Sequence, residues 1–211
     1  MSSMAADIKA VVFDFGNVII NIDLERTFRA FADLTFKSPA RVKSLFAEAG
    51  IFHKYETGFY SDDEFRDVVR QTLSYPLNDQ EIDEAWNALL LDVPSERLVY
   101  LENLRFTYPI YLLSNTNAIH IEKCQQYFRT RHNVQDFRKL FNRVFLSYEM
   151  GLWKPDYKIY QKVLDETGFK AGEILFLDDS QDNIDAAKDM GINCIKINPP
   201  ESFTDILGKI L

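Results

Sequence analysis

The 211-residue chain has little that would cross-link it or anchor it in a membrane. It contains only two cysteines, Cys124 and Cys194, which lie far apart and outside any cysteine-rich motif. This disfavours a disulfide framework or a zinc site and predicts reduced, structural thiols. No apolar run approaches the roughly 20 residues that span a bilayer, and the first residues lack the basic and apolar regions of a secretion signal. We therefore expect a cytoplasmic protein without a membrane partner.

Basic residues are also scarce relative to acidic ones. The chain has 24 Lys and Arg against 32 Asp and Glu, a formal net charge of −8. Proteins that bind nucleic acid gain most of their affinity by neutralising phosphates with positive charge. The charge balance therefore disfavours nucleic acid as a partner.

Apolar and aromatic residues are plentiful, and five short apolar runs are typical of strands buried on both faces. These runs are residues 10–13, 110–113, 144–146, 174–177 and 192–195. Helical spacing of apolar residues follows the second and third runs, over residues 121–128 and 159–164. Alternating strands and helices predict an α/β protein with a Rossmann-like three-layer core around a parallel sheet.

The spacing of the runs predicts an insertion. Successive runs end at Leu113, Leu146 and Leu177, about 30 residues apart, which is the length of one βαβ unit. Phe13 and Leu113 are 100 residues apart, so the first connection carries about 70 extra residues. Residues typical of helix N-termini at 38–39, 61–64 and 78–81 predict that this stretch is helical. We predict a core of residues 1–20 and 92–211 with a small α-helical cap of residues 21–91.

Polar residues follow four of the runs, where a parallel sheet binds its ligands. The segments are 14–17, 114–117, 151–156 and 178–180. They place carboxylates, a hydroxyl and one ammonium group around a single crevice.

These side chains favour a metal ion and a phosphate group. Asp14, Asp178 and Asp179 would repel one another and take up protons unless a cation lay among them. A set of oxygen ligands favours Mg²⁺. Lys154 and Ser114 are suited to binding the oxygens of a phosphoryl group. The predicted substrate is a small phosphate ester.

The four segments, in this order, resemble the motifs of the haloacid-dehalogenase-like hydrolases over nearly the whole chain. The resemblance implies that Asp14 is a nucleophile that forms an aspartyl-phosphate and that Ser114 and Lys154 bind phosphate. It implies a metal site formed by Asp14, Asp178 and Asp179.

Within that family, residues 13–18, 113–117 and 176–179 are similar to those of bacterial α-D-glucose-1-phosphate phosphatases. This similarity implies a Mg²⁺-dependent phosphatase acting on a sugar phosphate such as glucose 1-phosphate. Asn115 is a further candidate for phosphate binding, although hydrogen bonding within its loop is an equal alternative.

One position departs from the family pattern. Phosphatases of this family usually carry a second Asp two residues after the nucleophile, as the general acid and base, and here that residue is Gly16. The resemblance assigns the backbone carbonyl of this residue as a metal ligand, and Gly16 still supplies one. Loss of general acid–base catalysis costs a factor of about 10² to 10⁴. The candidate substitutes are His53 and Glu56 in the cap and His120 after the second strand.

Two other functions stay open. A metal-free 2-haloacid dehalogenase also lacks the second Asp, although Asp178 and Asp179 disfavour burial of an anionic substrate without a metal. A phosphate-binding protein with weak or lost turnover is the other. Trp153, next to Lys154, is either a packing residue or part of the substrate pocket. The sequence gives no indication of the oligomeric state.

Overall fold

The computed structural model describes residues 7–210 and contains a five-stranded parallel sheet. The strands are β1 (Ala10–Phe13), β2 (Ile110–Ser114), β3 (Arg143–Leu146), β4 (Ile174–Asp178) and β5 (Asn193–Lys196). Their order is β3-β2-β1-β4-β5, and every neighbouring pair is parallel. The predicted α/β fold is confirmed. β1 is the central strand, with β2 and β3 on one side of it and β4 and β5 on the other. The order of the strands therefore reverses at β1, and parallel sheets bind ligands at the carboxyl end of such a switch point.

Eleven α-helices accompany the sheet in the described residues. Six lie between β1 and β2: α1 (Leu24–Thr35), α2 (Pro39–Ala49), α3 (Ile51–Glu56), α4 (Asp62–Leu73), α5 (Asp79–Trp86) and α6 (Ser95–Leu104), and the first five fall in the predicted insertion. The others are α7 (Ala118–His132), α8 (Ser147–Met150), α9 (Tyr157–Thr167), α10 (Gln181–Asp189) and α11 (Phe203–Leu207). Between residues 7 and 210, no helix has both the length and the apolar character needed to cross a bilayer.

The predicted helix starts are present in the inserted segment. Ser61 and Asn78 form capping boxes with Glu64 and Glu81, and Ser38 accepts a hydrogen bond from the first turn of α2. Each cap satisfies backbone N–H groups that have no partner inside the helix. These local signals explain why the stretch folds as separate short helices.

The inserted helices have a hydrophobic core of their own, centred on Phe46, Phe65 and Trp86. Ile119 of α7 belongs to the same cluster and so connects it to the rest of the chain. Two backbone hydrogen bonds join the segment that enters the insertion to the segment that leaves it. The Asn21 N–H donates to the Asp92 carbonyl at 2.9 Å, and the Leu91 N–H donates to the Asn21 carbonyl at 3.0 Å. They lie at the predicted junction of core and cap, and that domain boundary stays a prediction.

Candidate active site

Lys154 lies at the centre of the crevice. Its Nζ donates to Asp14 Oδ1 at 2.6 Å, to Asp178 Oδ2 at 2.7 Å and to the Leu113 carbonyl at 3.0 Å. Burial lowers the pKa of Lys154, but the two carboxylates outweigh it and raise that pKa above its usual value. The ammonium group therefore stays charged although its side chain is buried.

Three carboxylates surround this lysine at the ends of β1 and β4. Asp14, Asp178 and Asp179 each offer a ligand atom within 4.8 Å of the others. Burial raises the pKa of Asp14 to about 7, Lys154 opposes the rise, and Asp178 adds to it. Oxygen donors that repel one another at this spacing fit a hard divalent cation such as Mg²⁺, which would relieve the repulsion.

Asp178 and Asp179 have different surroundings. Asp178 is fully buried, and besides Lys154 it accepts from the Ser180 N–H at 2.8 Å and from Asn183 Nδ2 at 3.0 Å. Asp179 is half-buried, and its pKa is raised by burial. This difference favours Asp179 as the metal ligand, with Asp178 holding Lys154 and the loop in place.

Asn17 contributes to the site, although sequence reasoning assigned it no role. Its backbone is in the left-handed region (φ 57°), and its Nδ2 donates to Asp179 Oδ2 at 2.8 Å. Asn tolerates this conformation better than most residues. The Gly-Asn pair following Phe15 is the sequence signal that could have identified this turn.

Ser114 ends β2, and Asn115 follows it next to the loop that carries Lys154. Ser114 is buried at the strand end. Asn115 Nδ2 donates to the Lys154 carbonyl and Asn115 Oδ1 accepts from the Lys154 N–H, both at 2.9 Å. Asn115 thus fixes the backbone that presents Lys154, and direct phosphate contact by either residue stays a prediction.

A cavity of about 370 Å³ opens beside these residues, between the sheet and the inserted helices. Its walls are mainly apolar, with polar groups near the ends of β1 and β2. Its lining includes Phe15, Gly16, Ile20, Ile22, Leu24, Phe52, Glu56, Leu89, Leu90, Ser114, Asn115, Thr116, His120, Cys124 and Trp153. Trp153 lines this cavity and also packs against His53, and its contact with a substrate stays a prediction.

The three candidate substitutes for the missing acid have different positions. Glu56 lines the cavity at the end of α3, and its Oε2 accepts from Trp153 Nε1 at 3.0 Å. His120 lines it too, but the structure argues against an acid role. Its Nδ1 lies 2.9 Å from Asn117 Nδ2 and its Nε2 lies 3.2 Å from the Trp86 carbonyl, while burial lowers its pKa to about 4. His53 is exposed and packs edge-on against Trp153, outside the cavity lining.

Gly16 leaves room next to the nucleophile position. A Cβ at residue 16 would lie 3.9 Å from Asp14 Oδ2 and 2.9 Å from Ile22 Cδ1. The backbone of Gly16 does not adopt a positive φ. A side chain at residue 16 would thus be restricted by the tip of Ile22 and not by backbone conformation.

Comparison with known proteins shows the family to which this chain is similar. It matches the model of the haloacid dehalogenase-like hydrolases over residues 8–191. It is 32% identical over 200 residues to a D-ribitol-5-phosphate phosphatase of Bacteroides thetaiotaomicron, covering 94% of each protein.

Solved structures agree. A HAD family enzyme of B. thetaiotaomicron, in complex with magnesium and inorganic phosphate, has a TM-score of 0.86 and 35% identity, covering 94% of this chain and 98% of that one. A HAD-like family hydrolase of Porphyromonas gingivalis has a TM-score of 0.88 and 27% identity, covering 96% and 97%. The predicted family and fold are confirmed, and the relative solved with magnesium agrees with the predicted cofactor. With the family model matched over most of its length, this chain belongs to the haloacid dehalogenase-like hydrolases.

Proposed function

We propose that this hydrolase is a Mg²⁺-dependent phosphatase that acts on a small sugar phosphate or sugar-alcohol phosphate through an aspartyl-phosphate on Asp14. The observation that carries the proposal is the position of Asp14, whose carboxylate is bound by the buried Lys154 and lies within 4.8 Å of ligand atoms of two further carboxylates. This arrangement offers a nucleophile, ligands for a metal ion and a cation that can bind phosphate within one crevice.

Asp14 would supply the nucleophile. In residues 7–210, the hydrogen bond from Lys154 goes to Oδ1, and no side chain donates to Oδ2. As a carboxylate oxygen of Asp14 bonds to phosphorus, the ester bond breaks and its electron pair leaves with the ester oxygen. Water then attacks the phosphorus and restores the Asp14 carboxylate.

Other residues would hold the phosphoryl group and the metal. Lys154 and Ser114 would donate to phosphoryl oxygens, and Lys154 would exchange part of its bonding with Asp14 for the substrate. Asp14, Asp179 and the Gly16 carbonyl would hold Mg²⁺, with Asp178 in support. When bound, Mg²⁺ supplies positive charge that keeps Asp14 ionised and offsets the negative charge of the phosphoryl oxygens.

The size of the cavity and the relatives support the substrate class. A volume of about 370 Å³ is within the usual range for pockets that enclose small molecules. The relative from B. thetaiotaomicron is named for ribitol 5-phosphate, and the motifs of this chain resemble those of glucose-1-phosphate phosphatases. We take both compounds as test substrates. The negative charge and the lack of basic excess disfavour nucleic acid as a partner, and a cytoplasmic location stays a prediction.

The two alternative functions gain no support from the site. A metal-free dehalogenase would have to hold Asp178 and Asp179 beside Asp14 and an anionic substrate with only Lys154 to balance them. A phosphate-binding protein without turnover would not need a nucleophile held in this way.

A substrate panel tests the proposal. Glucose 1-phosphate, ribitol 5-phosphate, hexose 6-phosphates, nucleoside monophosphates and 2-chloropropionate would be assayed with Mg²⁺ and with excess chelator. We expect phosphate release from one or more sugar or sugar-alcohol phosphates with Mg²⁺ only. Halide release that resists the chelator would establish the dehalogenase instead, and phosphate binding without release from any ester would establish the binding protein.

A further inference from the structure

The region next to Asp14 lacks the side chain that would protonate a leaving oxygen. Residue 16 is glycine, although a side chain there would begin 3.9 Å from Asp14 Oδ2. The cavity occupies this region and extends to the inserted helices. Any acid that replaces the missing one must therefore reach the cavity from another element.

Glu56 has the required position. It is the last residue of α3, and it lines the cavity together with Gly16 and Ser114. The helix begins after Gly50, whose positive φ of 64° ends α2 and redirects the chain. This turn brings the end of α3 against α8 in the core, beside the phosphate-binding loop.

A hydrogen bond connects Glu56 to that loop. Trp153, whose Nε1 donates to Glu56 Oε2 at 3.0 Å, directly precedes Lys154 in the chain. Among residues 7–210, no hydrogen bond reaches the other oxygen, Oε1. One oxygen is therefore held by the core while the other remains available to a molecule in the cavity.

The two histidines do not offer this combination. Both ring nitrogens of His120 are hydrogen-bonded inside the protein, and His53 is exposed and does not line the cavity. Glu56 is the candidate with a cavity-facing position and an oxygen left free.

We propose that Glu56 is the general acid and base of this enzyme, supplied by the inserted helices in place of the missing aspartate. The inference rests on the proposed phosphatase activity. As the P–O ester bond breaks, the leaving oxygen takes the electron pair of that bond and the proton of the Glu56 carboxyl group. In the second step, the Glu56 carboxylate accepts a proton from the water that attacks the aspartyl-phosphate, and the P–O bond to Asp14 breaks.

The charges around Glu56 agree with this role. Burial raises the pKa of Glu56 to about 7, while the Trp153 hydrogen bond and the Lys154 charge oppose the rise. Of the other titratable groups nearby, His120 is neutral, Asp14 is paired with Lys154, and His53 and Lys54 on α3 are exposed. A carboxyl group that titrates near neutral pH can both give and accept a proton during one catalytic cycle.

The main test is Glu56→Gln, measured on two esters with different leaving groups. On a primary alkyl phosphate we expect kcat/KM to fall by about 10² to 10⁴. On p-nitrophenyl phosphate, whose leaving group needs no proton, the first step should be nearly unaffected, and a burst of p-nitrophenol should precede slow turnover. Because the first step needs protonated Glu56, wild-type kcat/KM for the alkyl ester should fall as the pH rises above about 7, and the variant should lose this dependence.

The matched control is Glu48→Gln, which changes an exposed glutamate on α2 outside the cavity and should retain wild-type kinetics. Equal losses on both esters with an unchanged pH profile would overturn the acid–base role, as would retained activity on the alkyl ester. If wild-type enzyme releases phosphate from no ester, the proposed function itself has failed, which is a separate result.

Trp153→Phe provides a second test if Glu56→Gln does not fold. It removes the N–H that lowers the pKa of Glu56 and keeps an aromatic ring against the cavity. We expect the falling limb of the pH profile to move to higher pH. A limb that stays in place in a folded, active variant would contradict the proposal.

Discussion

Asp14 is the residue on which the proposed chemistry depends most directly. Asp14→Asn preserves shape but removes the negative charge and the nucleophilic oxygen. We expect turnover to fall at least about 1,000-fold, as for loss of other covalent nucleophiles. The fold should remain, because Lys154 keeps its bonds to Asp178 and to the Leu113 carbonyl.

Steady-state kinetics and circular dichroism of the purified variant would check this, with the exposed Asp33→Asn on α1 as control. A well-folded Asp14→Asn enzyme with substantial turnover would remove Asp14 from the nucleophile's role.

Gly16 allows an experiment that restores the missing acid at its usual position. An aspartate at residue 16 would begin close to Asp14 Oδ2, but its Cβ would overlap Ile22 Cδ1 at 2.9 Å. Ile22→Val removes that atom. We expect Gly16→Asp with Ile22→Val to restore part of the alkyl-phosphate activity lost in Glu56→Gln, because a second carboxyl group then reaches the leaving oxygen.

The comparison would be kcat/KM of the triple variant with that of Glu56→Gln and of Glu56→Gln with Ile22→Val alone. Equal rates in all three would mean that residue 16 cannot supply the proton in this enzyme.

At the scale of elements, Gly58 lies where the chain after α3 passes close to α8. Its φ is 70°, and a Cβ there would lie 2.3 Å from the Tyr148 carbonyl oxygen of α8. Because the Tyr148 carbonyl is backbone, it cannot move aside as the tip of a flexible side chain can. Gly58→Ala should therefore displace the end of α3, and Glu56 is two residues away. We expect lower stability, by about 1–3 kcal/mol beyond the conformational cost alone, and reduced kcat/KM.

Gly168→Ala is the matched control. Gly168 also has a positive φ, 74°, but a Cβ there would meet nothing within 4 Å. It should cost only about 1–2 kcal/mol for the left-handed conformation and leave kinetics unchanged. Thermal unfolding and steady-state assays of both variants would check this, and equal effects on kcat/KM would argue against the Gly58 contact as a determinant of the site.

The elements also show what could be predicted from the sequence. All five strands were predicted within two residues at either end, because buried parallel strands have continuous apolar runs. The capping boxes of α4 and α5 were predicted from local residues. The pairing of Trp153 with Glu56 was not, because it joins residues 97 positions apart and depends on how the inserted helices pack.

At the scale of the whole molecule, the topology concentrates charge at one point. Parallel strands β1, β2 and β4 end side by side, so residues far apart in the chain meet there. Asp14 and Lys154 are 140 positions apart, and folding must pay to bury both charges. The net charge of −8 includes these three aspartates, and their mutual repulsion at one point is unfavourable unless a cation accompanies them.

This balance predicts that Mg²⁺ stabilises the folded protein. The three carboxylates are assembled only in the folded state, so a cation that binds them shifts the unfolding equilibrium toward the native form. At a free Mg²⁺ concentration 100 times Kd, the gain would be about 2.7 kcal/mol. We expect Tm to rise with Mg²⁺ and to return to its starting value with excess chelator. Asp179→Ala should abolish the rise, whereas Asp33→Ala, which removes an exposed charge on α1, should retain it. An equal rise in Asp179→Ala would place the stabilising ion elsewhere on the acidic surface and contradict the assignment of Asp179 as a metal ligand.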